Sequence, residues 1–218
     1  MKNRFSTIAA SLALLAGAQA AQASDVSIAW QGNAAQAGVA LQAYDLTLSA
    51  TDAVFDDYAL QLKYDNLTNG TSFAAFCIEP LAGNSVLAAT YSVSSFTGAE
   101  ATHLAALYQT SFSNSMNATQ QAAFQLAVWE FTQEASTFGT QTGTFRATAS
   151  AAVTTLADSY VSAALGFTGT STYQVTKLTS GDYQDLVVAT AVPEPQTYAL
   201  LLAGLGAVGL IARRRLPR

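Results

Sequence analysis

The order of apolar and polar positions predicts strands in the first part of the chain. Apolar and polar residues alternate in VSIAW, YDLTLSA and YALQLKYDNLTNG, and the last of these ends in an Asn-Gly turn. A period of two is typical of a strand with one buried face. TSFAAFCIEP predicts a further strand, which ends at Pro80 because proline cannot donate a ladder hydrogen bond. We therefore expect antiparallel strands between Val26 and Pro80.

The middle of the chain has a helical period. Apolar residues recur every three to four positions in GAEATHLAALYQTSF and in NATQQAAFQLAVWEFTQEA, where Asn117 or Thr119 can cap the helix. ATASAAVTTLADSYVSAAL predicts a third helix after the loop STFGTQTGTF, and STYQVTKLTSGDYQDLVVATA returns to strand alternation. The predicted fold class is α+β: an antiparallel β-rich domain, sandwich or barrel-like, with a helical insertion around residues 98–165.

The N-terminus has the three parts of a secretory signal peptide. Lys2 and Arg4 precede the apolar run IAASLALLAGAQA, and small-x-small sites follow at 18–20 and 21–23. The apolar run is too short to span a bilayer. We expect cleavage after Ala23 and export of the remaining chain.

The C-terminus contains a Pro-Glu-Pro motif, an apolar stretch over 197–212 and an arginine cluster. The motif and cluster residues are Pro193, Glu194, Pro195, Arg213, Arg214 and Arg215. These parts, in this order, resemble the PEP-CTERM sorting signal of Gram-negative bacteria. The resemblance implies a C-terminal transmembrane helix, an exosortase-type processing enzyme as partner, and delivery from the inner membrane to the cell surface or an exopolysaccharide matrix. The arginines would hold the end of the helix in the cytoplasm. A plain membrane anchor is the alternative, although it needs no proline-bracketed glutamate.

These ends divide the chain into a signal peptide at 1–23, an extracellular domain at 24–191 and a sorting signal at 192–218. Of the 9 Lys and Arg residues, only Lys63, Arg146 and Lys177 lie in the body, and of the 14 Asp and Glu residues only Glu194 lies outside it. The body therefore has three basic and thirteen acidic side chains. A surface of that sign repels phosphate backbones, so we expect no nucleic-acid partner.

Cys77 is the only cysteine of the sequence. In an exported protein, such a residue is an inert core thiol, an intermolecular disulfide partner, a catalytic thiol or a thiol held in another bond. A catalytic pair would need His103, the only histidine, as its base, and no third orienting residue is evident. One Cys and one His are too few ligands for a zinc centre. We expect no metal and no cofactor.

Phe76-Cys77-Ile78-Glu79, followed by FQLAVW at 124–129, resembles the paired motifs of bacterial thioester domains on Gram-positive surface adhesins. The resemblance covers about residues 73–134 and includes Tyr91. It implies that the sulfur of Cys77 is joined to the side-chain carbonyl of Gln125 with loss of ammonia. The residues implied to surround this bond are Phe76, Ile78, Glu79, Phe124, Val128 and Trp129. The apolar ones among them suit the exclusion of water from a hydrolysable bond.

The thioester resemblance implies an adhesion protein that bonds covalently to an amine of a surface protein or a hydroxyl of a polysaccharide. Because the electrophile is consumed, we expect no enzyme activity in the turnover sense. The alternative is a passive structural protein of the surface or matrix, with Cys77 as an ordinary buried thiol. A polysaccharide hydrolase is a weaker reading, since adjacent carboxylates such as Asp56 and Asp57 point to opposite faces of a strand.

Overall fold

The computed structural model of the chain describes residues 25–33, 40–45, 53–192, 200–205 and 208. Side chains are described at 25–32, 59–192, 200–205 and 208. The predicted signal peptide at 1–23 lies outside the described residues, as do the Pro-Glu-Pro motif and the arginine cluster.

Within the described part of the body, strands come first, helices occupy the middle, and two strands follow. The strands are β1 Asp25–Asn33, β2 Ala40–Asp45, β3 Ala53–Tyr58, β4 Leu62–Asn66, β5 Thr71–Cys77, β6 Ala89–Ser95, β7 Phe145–Thr148, β8 Tyr173–Thr179 and β9 Leu186–Ala191. The helices are α1 Gly98–Ser111, α2 Ala118–Gln133 and α3 Ala151–Leu165. The predicted antiparallel α+β class is confirmed.

Six strands form a closed antiparallel barrel in the order β1-β4-β5-β9-β8-β6. The β4–β5 hairpin turns at the predicted Asn-Gly pair, where Gly70 has a φ of 72°, a conformation that glycine adopts without steric cost. Strand β5 pairs with β9 only at Phe76 with Val187 and Cys77 with Leu186. The cysteine therefore lies in this short pairing of β5 with β9, which is the barrel seam.

A second sheet has the order β3-β2-β7. Strand β7 lies inside the predicted helical insertion, where the sequence analysis placed no strand. Its four residues, FRAT, alternate between buried and exposed positions, but this run is too short to predict a strand by periodicity. Pairing with β2 defines β7: Ala43 lies opposite Ala147 and Tyr44 opposite Arg146.

Helix α2 contacts α1, α3, β5 and β7. It begins with a capping box, in which the Asn117 side chain accepts from the Gln120 N–H at 3.0 Å and the Gln120 side chain accepts from the Asn117 N–H at 2.8 Å. Asn117, rather than Thr119, is therefore the N-cap. All residues from Gln121 to Phe131 are buried. The middle of the helix is therefore enclosed, and its polar side chains Gln121, Gln125 and Glu130 lie in the interior.

The C-terminal transmembrane helix stays a prediction, since the stretch 197–212 is described only at residues 200–205 and 208. These residues are helical and exposed. Among the residues that the structure describes, no helix has the length and apolar character needed to cross a membrane.

Candidate functional site

Cys77 is the last residue of β5 and is 5% exposed. Side chains alternate between the two faces of a strand, and along β5 Ala75 lies in the barrel core while Phe76 packs into the cluster formed with the helices. Cys77 shares a hydrophobic cluster with Leu126 and Trp129 of α2. The thiol therefore lies where the end of the barrel meets this helix.

Gln125 reaches the cysteine from α2, although the two residues are 48 positions apart in the chain. The Cys77 N–H donates to Gln125 Oε1 at 2.9 Å, and Gln125 Nε2 donates to the Cys77 carbonyl at 2.7 Å. Gln125 is 1% exposed. The carboxamide pairs with the Cys77 backbone as a neighbouring strand would, which satisfies polar groups that water cannot reach.

The chain immediately after Cys77 is fixed by further hydrogen bonds. The Cys77 thiol donates to the Glu79 carbonyl at 3.1 Å, and the Asp185 N–H donates to the Glu79 carboxylate at 2.9 Å. The Ile78 N–H donates to the Asp185 carbonyl at 3.0 Å. Asp185 also forms an ion pair with Lys177 at 3.1 Å. These bonds hold the cysteine segment against the start of β9.

A second glutamine of α2 contacts the same segment. Gln133 Nε2 donates to the Ile78 carbonyl at 2.7 Å. Gln125 and Gln133 are eight residues apart, a spacing that places both on one face of a helix. The sequence analysis did not assign Gln133 to the site. Its spacing from Gln125 was the available signal, but glutamines on helices are common at solvent-exposed positions.

The predicted apolar surroundings of the cysteine are buried. Phe76, Ile78, Phe124 and Val128 belong to one cluster, each 3% exposed or less, and the rings of Phe76 and Phe124 are 4.7 Å apart. Trp129 is 1% exposed and belongs to the same cluster as Cys77. The side chain of Glu79 is exposed. The structure thus surrounds Cys77 and Gln125 with apolar groups and places one carboxylate at the edge.

His103 packs between aromatic rings. Its ring centroid is 5.0 Å from that of Phe131 and 5.3 Å from that of Phe138. Burial lowers the pKa of this imidazole below its ordinary value, which favours the neutral form. The partly buried His103 therefore packs against Phe131 and Phe138, and these contacts give no support to a Cys77–His103 catalytic pair.

Glu130 is a fully buried carboxyl group that the sequence analysis did not single out. It is 0% exposed, and its Oε2 accepts from the Gly139 N–H at 2.9 Å. Its Oε1 has no hydrogen-bond partner among the described residues. Burial, with smaller contributions from the nearby Glu134 and Asp158, raises the pKa of Glu130 to about 8, and the hydrogen bond from Gly139 opposes this rise. The group is therefore mostly protonated at neutral pH.

The carboxyl groups around Glu130 anchor a loop. The Phe145 N–H donates to Glu134 Oε1, and the Thr140 N–H donates to Asp158 Oδ1 at 2.8 Å. Within the described residues, no group of three or more His, Cys, Asp and Glu side chains is arranged to hold a metal ion. These acids therefore serve to fasten the segment 139–145 to α2 and α3.

Comparison with known proteins identifies the C-terminal segment. Residues 191–215 match the PEP-CTERM protein-sorting motif. The chain carries a PEP-CTERM sorting signal. Signals of this class mark exported proteins that are processed and displayed at the cell surface. The predicted PEP-CTERM sorting signal is confirmed, and exosortase processing follows from the motif.

Two solved structures of surface-protein domains are similar to the body. The N-terminal domain of the Streptococcus pyogenes pilus tip adhesin Cpa is 14% identical, with a TM-score of 0.43 over 74% of this chain and 99% of that one. The N-terminal thioester domain of a surface protein from Clostridium perfringens is 15% identical, with a TM-score of 0.42 over 70% and 99% of the two chains. At this level of similarity, these structures do not establish a function for this chain. No curated protein matches it at a significant level of sequence similarity.

Proposed function

We propose that this surface-sorted protein forms an internal thioester between Cys77 and Gln125 and uses it to bond covalently to a target. One observation carries the proposal: the Gln125 carboxamide is held on the Cys77 backbone by hydrogen bonds of 2.9 and 2.7 Å. A helix and a barrel seam, both buried, fix this arrangement. Holding two reacting groups in place removes much of the entropic barrier to their reaction.

Thioester formation is a substitution at the carboxamide carbon. The Cys77 sulfur attacks Gln125 Cδ, the C–S bond forms, and the C–N bond breaks. The thiol proton passes to the departing nitrogen, which leaves as ammonia. Negative charge develops on Gln125 Oε1 during the attack, and the Cys77 N–H at 2.9 Å from this oxygen is in position to stabilise it, as donors of an oxyanion hole do.

The capture step consumes the bond. An amine of the target attacks the thioester carbonyl, a C–N bond forms, the C–S bond breaks, and the sulfur takes up a proton to regenerate the Cys77 thiol. A hydroxyl of a polysaccharide would give an ester by the same route. Each molecule reacts once, so the protein is an adhesin rather than an enzyme.

Burial suits a bond that must survive until it meets its target. Cys77 is 5% exposed, Gln125 is 1% exposed, and apolar side chains surround both. Low access for water slows hydrolysis. The lysines of the described body are Lys63 and Lys177, and Lys177 is paired with Asp185 at 3.1 Å. Few competing amines within the body favour reaction with another molecule.

The sorting signal determines where in the cell the protein meets its target. We infer that the apolar stretch 197–212 holds the precursor in the inner membrane while an exosortase-type enzyme cleaves near Pro193–Pro195. The body is then released to the cell surface or to an exopolysaccharide matrix. Its acidic character fits a protein or polysaccharide partner and not a nucleic acid.

A methylamine experiment tests the capture chemistry. The exported protein is incubated with methylamine and digested, and the peptides are mapped by mass spectrometry. We expect N-methylglutamine at position 125 and a newly titratable Cys77 thiol. Cys77→Ala should give no adduct, while Gln121→Ala, which changes another buried glutamine of α2, should leave the adduct intact. Absence of an adduct in the wild type would refute the proposal.

A structural role is the second candidate, and the same hydrogen bonds favour it. The Gln125 carboxamide satisfies both backbone groups of Cys77 without any covalent step. In this case Gln125 is a clamp between α2 and β5, and the protein is a passive component of the surface. The methylamine experiment separates the two, since a clamp gives no adduct.

A further inference from the structure

Two hydrogen bonds of the cysteine segment, residues 77–79, cannot survive formation of the thioester. Gln125 Nε2, which donates to the Cys77 carbonyl at 2.7 Å, is the nitrogen that leaves as ammonia. The Cys77 thiol, which donates to the Glu79 carbonyl at 3.1 Å, loses its proton. In the thioester state, other contacts must therefore keep the segment in place.

The hydrogen bond from Gln133 to the Ile78 carbonyl contains no reacting atom. Gln133 Nε2 donates to this oxygen at 2.7 Å. The Thr132 hydroxyl contacts the same oxygen at 3.4 Å, which is longer than an ordinary O–H···O hydrogen bond. Gln133 thus provides the stronger of these two contacts between α2 and the Ile78 carbonyl, and no step of the proposed chemistry removes it.

The other hydrogen bonds of the segment attach it to β9 and its approach. The Ile78 N–H donates to the Asp185 carbonyl at 3.0 Å, and the Asp185 N–H donates to the Glu79 carboxylate at 2.9 Å. Neither bond involves α2, which carries the acyl group of Gln125. The thioester itself fixes one point of the segment on α2, and a segment fixed at one point can turn about it. Gln133 supplies a second point.

Burial shows where the site meets solvent. Cys77 is 5% exposed and Ile78 is 3% exposed, whereas the next residue, Glu79, is exposed. Along α2, Gln125 is 1% exposed and Gln133 is partly exposed. The segment and the helix therefore both become accessible in the direction of Glu79 and Gln133. A movement of the segment at this end would open the thioester to water.

We propose that Gln133 is a positioning residue that holds the cysteine segment on α2 while the thioester exists, an inference that rests on the proposed function. Hydrolysis then requires local opening of the segment, and its rate follows the fraction of molecules that are open. In hydrolysis, water attacks Gln125 Cδ, a C–O bond forms and the C–S bond breaks. One proton of the water passes to the sulfur, and residue 125 becomes glutamate.

Substitution of Gln133 by methionine tests this role, because it keeps the length of the side chain and removes the N–H donor. Exported protein is incubated at neutral pH, and glutamate at position 125 is followed by peptide mapping. We expect it to accumulate roughly five- to thirtyfold faster than in the wild type, the effect on an opening equilibrium of losing one hydrogen bond to a buried carbonyl. Capture of methylamine should accelerate by the same factor, because one opening admits both nucleophiles.

Gln121→Met is the matched control. Gln121 also lies on α2, and its Nε2 donates to a backbone carbonyl, that of Met116, at 2.9 Å. This bond lies outside the cysteine segment. The variant loses a hydrogen bond of the same kind from the same helix, and we expect its thioester to hydrolyse at the wild-type rate.

The outcomes separate this inference from the proposed function. If the wild type loses no ammonia, the thioester itself is refuted. If the wild type forms the thioester and Gln133→Met hydrolyses no faster, only the role of Gln133 is overturned. Equally fast hydrolysis in Gln121→Met, or faster hydrolysis of Gln133→Met without faster capture of methylamine, would also overturn only that role.

A wild-type measurement covers the case in which Gln133→Met does not fold or never loses ammonia. Hydrogen exchange of side-chain amides is measured by NMR in the thioester state. The Nε2 protons of Gln133 should exchange more slowly than those of Gln174, whose side chain is exposed. Equal exchange rates would overturn the role of Gln133.

Discussion

The buried Glu130 carboxyl group predicts an unusual dependence of stability on pH. Its pKa is about 8 in the folded protein, compared with 4.5 for an ordinary glutamate, and burial is the main cause. Between these two values the folded state binds the proton while the unfolded state has lost it. Stability should therefore fall as pH rises from about 5 to about 8, the opposite of the behaviour expected for a carboxylate in an ion pair.

The size of the effect follows from the shift. Each unit of pKa difference corresponds to about 1.4 kcal/mol, so a rise from 4.5 to about 8 gives an upper bound of roughly 4–5 kcal/mol across the range. That loss is a large part of the roughly 5–15 kcal/mol that stabilises a typical domain. Glu130→Gln should remove most of it, because a glutamine oxygen can still accept from the Gly139 N–H and carries no charge.

Urea denaturation at a series of pH values from 5 to 9 measures this effect. We expect the free energy of unfolding of the wild type to decrease through this range and that of Glu130→Gln to change much less. Asp182→Asn, at an exposed position, is the control and should keep the wild-type slope. Equal slopes for the wild type and Glu130→Gln would refute the assignment of a buried, protonated carboxyl group.

Three further substitutions test the packing of the site by urea denaturation. Gln133→Ala leaves the Ile78 carbonyl with only the 3.4 Å contact from Thr132 and should cost about 1–2 kcal/mol. Phe124→Ala opens a cavity at a residue that is 0% exposed and should cost roughly 3–5 kcal/mol. Asn117→Ala removes the capping box of α2 and should cost about 1 kcal/mol, whereas Asn117→Asp should retain most of the cap. An unchanged free energy of unfolding in any of the three would contradict the role given to that residue.

The sequence predicted those strands and helices whose hydrophobic period or turn motif lies within a few neighbouring residues. Alternation before Asn69-Gly70 predicted the β4–β5 hairpin, and the helical period after Asn117 predicted α2. The short strand β7 was not predicted, and β3 was covered only by the general expectation of strands between Val26 and Pro80. Both strands are defined by pairing with β2, and pairing between distant segments leaves little trace in a short sequence window.

The site was predictable to the extent that motif resemblance pointed to Cys77 and Gln125. The burial of Glu130 was not, because α2 is enclosed by β5, β7, α1 and α3, and a helix buried on all sides has no polar face to reveal which polar residue lies inside. Gln133 lies beyond this buried part of α2 and is partly exposed, so its sequence context resembles that of an ordinary surface glutamine. Its partner, the Ile78 carbonyl, is a backbone group that the sequence does not distinguish.

The intact mass of the exported protein tests the central claim most directly. Measured under non-reducing conditions, the wild type should be lighter than its calculated mass by one ammonia. Cys77→Ala and Gln125→Ala should each have their full calculated mass, and Gln121→Ala should keep the deficit. A wild type at its full calculated mass, with a Cys77 thiol that titrates after denaturation, would contradict the thioester and leave Gln125 as a structural clamp on the barrel seam.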